Sequence, residues 1–231
     1  MHRTNEVSIV FLICLQLFAV SCSKPAGSLP EELAAACPSP SPVIANDGKL
    51  KLFIPDDEGY GWVKYILDET TKQAAKAGLS DLKTVAHTGN DLEIRFWLGS
   101  IDGLRGIIFQ RISGRWAATQ LEYLDYRGIL NPTQPYPEPD IGWDAFWGKL
   151  VSDGILELPD GRCFKDYHAV MDGVGFTIEL NLQGAYRIYH YSNPQAQTAD
   201  RGVKDPQAIE AARRMSEIAG QIIEMSLPRK Q

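Results

Sequence analysis

Residues 163–172, CFKDYHAVMD, hold the densest set of groups able to do chemistry. Asp166, His168 and Asp172 offer two carboxylates and an imidazole in close succession, with His190 further along the chain. Oxygen and nitrogen donors of this kind suit a divalent metal or a general acid–base pair. A zinc site wants three or four converging ligands held by outer partners, and the spacing supplies neither. No metal and no cofactor is therefore assigned. Asp166, His168 and Asp172 stand as the residues a hydrolase would use. HExxH, CxxC, GxSxG and P-loop patterns are absent. Gly173-Val174-Gly175 lacks a third glycine and precedes a strand pattern, so it is no dinucleotide fingerprint. Asp102-Gly103, Asp160-Gly161 and Asp172-Gly173 read as turns.

A second set sits on a strand pair. Val174, Phe176, Ile178, Leu180 and Leu182 alternate with Gly175, Thr177, Glu179 and Asn181, and YRIYHYSNP follows. A three-residue loop, Leu182-Gln183-Gly184, sets Glu179 opposite Arg187. Phe176, Ile178 and Leu180 then share a face with Tyr186, Ile188 and His190. The other face carries Thr177, Glu179, Arg187, Tyr189 and Tyr191. A two-residue Gln183-Gly184 turn would put Arg187 against Leu180, so consistency between faces favours the longer loop. Arginine and tyrosine are enriched at binding hot spots, which makes this face the candidate binding surface. Burial of the same face under a helix is the alternative.

These residues need a scaffold, and the periodicity supplies one. Lys49–Ile54 reads as a strand, and a helix over 60–77 lines up Val63, Ile66, Leu67, Thr70 and Ala74, with Gly78 as its stop. Strands follow at 92–98, 104–112 and 115–123, the last two joined by a Ser113-Gly114 turn. NPTQPYPEPD (131–140) has too many prolines for regular hydrogen bonding. A short helix covers Trp143–Ser152, with Asp140 as N-cap. A final helix opens at Asp205-Pro206 and carries Ala211, Met215, Ile218, Ile222 and Met225 along one side. The fold class is α+β, a mostly antiparallel sheet with three main helices. AGLSDLKT before DLEIRFW parallels DGILELPD before GFTIELN, which suggests two related helix–hairpin halves.

The chain opens differently. Val7–Val20 is almost unbroken apolar sequence behind a short positive start. It is shorter than the roughly 20 residues of a spanning helix, so residues 1–21 read as a signal peptide. Ala19-Val20-Ser21-Cys22 resembles the lipobox of bacterial lipoproteins, with Ala19 where that family most often has leucine. The resemblance implies cleavage before Cys22, a thioether-linked diacylglycerol on that residue and a further amide-linked fatty chain such as palmitate. Ser23 behind the cysteine implies delivery to the outer membrane, facing the periplasm. An ordinary signal peptide is the alternative. Residues 22–48 are then the lipid anchor and a tether rich in proline (Pro25, Pro30, Pro38, Pro40, Pro42), and 49–231 form a single α+β domain.

Four cysteines are present. Cys14 lies in the leader and Cys22 takes the lipid, which leaves Cys37 and Cys163 in an oxidising compartment, as a disulfide or as two separate thiols. A formal net charge of −6 without a basic stripe excludes nucleic acid as a partner. An apolar content of 44% is enough for a packed core.

Trp143-x-x-Phe146-Trp147-x-x-Leu150, Leu158-Pro159-Asp160, Asp172-Gly173 and Tyr186-Arg187-x-Tyr189-x-Tyr191-x-Asn193-Pro194 together resemble a recurring segment of uncharacterised bacterial proteins. That resemblance implies a structural signature and no named activity. The functional expectation is a membrane-anchored, non-catalytic binding or accessory module. Its partners are the bilayer, through Cys22, and a protein or envelope component, an immunity-type inhibitor being one version. The alternative is an envelope hydrolase, metal-assisted or not, using Asp166, His168 and Asp172.

Overall fold

A three-strand meander and a separate hairpin, all of alternating sequence, meet in one sheet. The computed structural model describes residues 43–44, 50–51, 61–85, 91–100, 103–124, 129–130, 134–164 and 173–226. A small antiparallel pair, β1 (Val43–Ile44) and β2 (Leu50–Lys51), precedes helix α1 (Gly61–Lys76). Three long strands follow: β3 (Leu92–Ser100), β4 (Gly103–Ile112) and β5 (Arg115–Leu124). Short strands β6 (Ile129–Leu130) and β7 (Gln134–Pro135) lead to helix α2 (Trp143–Ser152). Strands β8 (Gly175–Leu182) and β9 (Ala185–Ser192) and helix α3 (Pro206–Ser226) complete the order. The main sheet runs β6-β5-β4-β3-β8-β9, antiparallel throughout, with β7 also on β5. The architecture is α+β, with three α-helices among the described residues.

Both faces of this sheet are covered. Leu92, Ile94 and Phe96 of β3 pair with Leu182, Leu180 and Ile178 of β8, and with Phe109 and Ile107 they bury against α2 and α3. Phe146 and Leu150 come from α2, and Met215, Ile218 and Ile222 from α3. The stripe expected on the last helix is thus its core face. Trp97, Ile108 and Leu121 point the other way and pack on Ala74 of α1. Gly106 lies opposite Trp97, where a Cβ would come 2.7 Å from the indole, so only glycine lets the ring lie flat there.

The helix ends explain the sequence parallel. At the end of α1, Leu79 N–H donates to Ala74 O and Gly78 N–H to Ala75 O, with Gly78 at φ 75°. At the end of α2, Ile155 donates to Leu150 O and Gly154 to Val151 O, with Gly154 at φ 90°. Both are Schellman caps, which need a left-handed glycine followed by an apolar residue. The helix–hairpin order does occur twice, but α1 and α2 lie on opposite faces of the sheet. At the start of α3, Asp205 Oδ1 accepts Gln207 N–H at 2.8 Å behind Pro206, as the cap pattern predicts. At α2 the N-cap is Gly142 rather than Asp140, because a turn from Pro139 O to Gly142 N–H places Asp140 too far upstream. The proline-rich segment also departs from expectation. Gln134–Pro135 forms a short strand on β5, Tyr136 N–H donates to Ala118 O, and the buried Tyr136 hydroxyl donates to Ile222 O.

Candidate functional site

The β8–β9 turn decides which side chains meet. It holds two residues, Gln183 at φ 53° and Gly184 at φ 81°, and pairs Leu182 with Ala185. Left-handed values at both positions mark a type I′ turn, whose twist matches that of the strands. The expected three-residue loop is therefore replaced, and Arg187 lies opposite Leu180 rather than Glu179. Asn181 favours this geometry, since its Oδ1 accepts Gly184 N–H at 3.1 Å and its amide donates to Leu82 O and Val85 O.

The five residues of the candidate binding face are split by this register. Arg187, Tyr189 and Tyr191 share the face of Phe176, Ile178 and Leu180, and all three are buried. Thr177 and Glu179 lie on the opposite face with Tyr186, Ile188 and His190, and are buried as well. Neither an open face nor one face beneath a helix is observed: the five residues are buried on two sides of the sheet, and Arg187, Tyr189 and Tyr191 bond the segment after α2.

On the first face, the segment after α2 is clamped onto β9. Tyr189 OH donates to Ile155 O at 2.9 Å, Tyr191 OH to Pro159 O at 2.7 Å, and Arg187 Nη1 to Leu156 O. Asp160 Oδ2 accepts the outward N–H of His190 at 3.0 Å, closing an edge that would otherwise be open to pairing. Each long side chain buries its body and spends its polar tip on a carbonyl. Burial raises the Tyr189 phenol above its ordinary pKa and lowers the Arg187 guanidinium below its own. Asn193, left-handed at φ 42°, accepts Val174 N–H through Oδ1 at 2.7 Å and latches the far end of the hairpin. Pro159, Asp160, Arg187, Tyr189, Tyr191 and Asn193 are the parts of this clamp.

On the second face, beneath α1, lies a polar cluster that hydrophobic patterning did not reveal. Glu179 Oε2 accepts Trp97 Nε1–H at 2.7 Å, and Oε1 accepts Tyr186 OH at 2.9 Å. Arg95 Nε donates to Glu93 Oε1 at 2.7 Å, and its Nη2 to Ser80 O at 2.6 Å. Gln110 adds a donor to Glu93 Oε2 at 3.1 Å. Thr177 Oγ1 and His190 Nδ1 lie 2.9 Å apart. Burial, then the charge of Glu179, pushes the Tyr186 phenol well up. The signal in the sequence was polar alternation in two strands: Glu93, Arg95 and Trp97 in one, Thr177, Glu179 and Asn181 in the other. Those rows become neighbours once β3 pairs with β8.

Asp166, His168 and Asp172 lie outside the described residues, as do Cys22 and Cys37. Among the described residues, no group of three or more His, Cys, Asp or Glu side chains is placed to hold a metal ion. Cys163 closes a short 3-10 turn (Gly161–Cys163) and is disulfide-bonded. Its expected partner, Cys37, is one of the residues not described. Comparison with family models, with curated proteins and with solved structures gives no match.

Proposed function

We propose that the chain is a membrane-anchored lipoprotein whose domain is a non-catalytic binding or accessory module for a protein or component of the bacterial envelope. The lipid sits on Cys22, and the proline-rich tether carries the domain clear of the head groups at the periplasmic side of the outer membrane. Two ester-linked chains and one amide-linked chain exceed the two-signal threshold for stable anchoring. A single observation carries the non-catalytic part. The polar side chains at the centre of the domain, from Glu93 and Arg95 to Glu179, Tyr186 and Tyr189, are hydrogen-bonded to one another or to the protein's own backbone. These groups are buried as well as bonded, so they hold a shape and face one another rather than a substrate. An immunity-type inhibitor is one role of this kind.

Metabolic labelling with a fatty-acid probe tests the anchor. Wild-type chain should take up label, and Cys22→Ser should accumulate as unlabelled, full-length precursor. Normal processing without label would leave an ordinary signal peptide. Crosslinking of the labelled protein in intact envelopes tests the module. Turnover of an envelope substrate that disappears in His168→Ala would replace this reading with the hydrolase.

A further inference from the structure

Arg187 is a charged side chain that makes no ion pair among the described residues. It is 9% exposed, its Nη1 donates to Leu156 O, and its guanidinium lies 4.7 Å from the centre of the Tyr189 ring. Among the described residues nothing else reaches it by hydrogen bond or ion pair. A cation so deeply placed is ordinarily kept with a partner anion. Among the described residues its Nε and Nη2 carry no hydrogen bond, since the one bond the guanidinium makes is at Nη1. Those two atoms form the side-on edge of a guanidinium, where two parallel N–H groups match the two oxygens of a carboxylate.

The nearby charges are otherwise engaged. Asp160 accepts the His190 N–H. Glu157 lies 3.7 Å from Arg214 Nη2, and Arg214 Nε donates to Asp153 O at 3.0 Å. Both carboxylates act on Arg187 through space without bonding to it. We propose that Arg187 is an oxyanion-binding residue that takes the carboxylate of a ligand side-on at Nε and Nη2. A flat two-oxygen group matches a single free fork. A phosphate fits the same fork but brings more negative charge toward Glu157, which disfavours it against a carboxylate. The half-exposed Glu157 opposes an incoming anion and so sets the affinity of the site. This goes beyond the anchored-module reading, and lipid labelling tests that reading separately.

The test follows the arginine Nε–H signals of the full-length, nitrogen-15-labelled chain in detergent during titration. The probes are N-acetyl-trialanine as the free acid, the same peptide as its amide, and inorganic phosphate. The free acid should shift one Nε–H signal saturably, the signal that Arg187→Lys removes, while the amide leaves it in place. Arg187→Lys should weaken binding about tenfold or more, since lysine has no fork. Glu157→Gln, on an exposed turn, should strengthen it, and that comparison stands even if Arg187→Lys fails to fold. An equal response to the amide overturns the proposal, as does no response to the acid or weaker binding in Glu157→Gln. A phosphate response as strong as that of the acid overturns the carboxylate assignment.

Discussion

Replacing Trp97 by Phe takes one donor from a buried carboxylate, and the size of the loss reports which face of the sheet Glu179 occupies. Glu179 is 4% exposed, and its two oxygens are held by Trp97 at 2.7 Å and Tyr186 at 2.9 Å. Hydrogen bonds to charged groups contribute about 1.5–3 kcal/mol. Trading the buried indole for a smaller ring adds a packing loss of about 1 kcal/mol. The single change should therefore cost about 2.5–4 kcal/mol. Glu179→Gln keeps the shape and an acceptor oxygen, and the Tyr186 hydroxyl can turn to accept from the new amide. Its cost should be about 1 kcal/mol. Combined, the two changes should show a coupling of about 1–2 kcal/mol, because both remove the same bond. Glu179→Gln with Arg187→Lys should instead be additive within about 0.5 kcal/mol, since the sheet separates them. Urea unfolding followed by circular dichroism, for each single and double variant, gives both numbers. A Glu179–Arg187 coupling above about 1 kcal/mol, with none between Glu179 and Trp97, would refute the two-residue turn and restore the longer loop.

Two further outcomes follow from burial and crosslinking. Tyr136, Tyr186 and Tyr189 are held protonated above the ordinary phenol value of about 10, by burial in each case and at Tyr186 also by the Glu179 charge. Their contribution is whole below about pH 10 and drains away as the pH climbs toward the raised folded values, because the unfolded chain loses those protons first. Each phenol should remove about 1.4 kcal/mol per pH unit, and a urea midpoint that stays flat between about pH 10 and 12 would contradict their burial. Peptide mapping of non-reduced protein should join the Cys163 peptide to the Cys37 peptide, and reduction should lower the melting temperature, a loop of this length contributing up to about 4–5 kcal/mol. Recovery of Cys163 joined to another cysteine would sink that pairing.

Elements were legible where one local rule governs them. The stripe on α3 and the caps at Gly78 and Asp205 follow from helical period and terminal hydrogen bonding, and all appear as read. The resemblance between AGLSDLKT and DGILELPD has a local cause too, the shared Schellman geometry. The candidate face was legible in part. Arg187, Tyr189 and Tyr191 do share a face, but Thr177 and Glu179 do not join them. Register depends on a turn, and the turn was chosen by assuming that polar side chains mark the outside. In a sheet covered on both faces that marker fails. Six consecutive residues of β3, Leu92 to Trp97, are buried, with Glu93 and Arg95 among them.

The choice between the two registers rests on what each does with the polar atoms of β9. Holding Gln183 left-handed costs about 1–2 kcal/mol, which a longer loop with glycine alone in that region would avoid. In return, the tight turn lets three polar tips of β9 reach three carbonyls of the segment after α2, and places Tyr186 on Glu179. At about 1 kcal/mol for each neutral bond and more for the charged ones, the gain exceeds the strain. Arginine is tolerated on the apolar face because its stem packs there while its head bonds the Leu156 carbonyl and lies against the Tyr189 ring. That arrangement is also the basis for a binding role. The scaffold uses Nη1 and leaves the paired donors Nε and Nη2 without a hydrogen bond among the described residues. Recognition and scaffolding are therefore divided within one side chain.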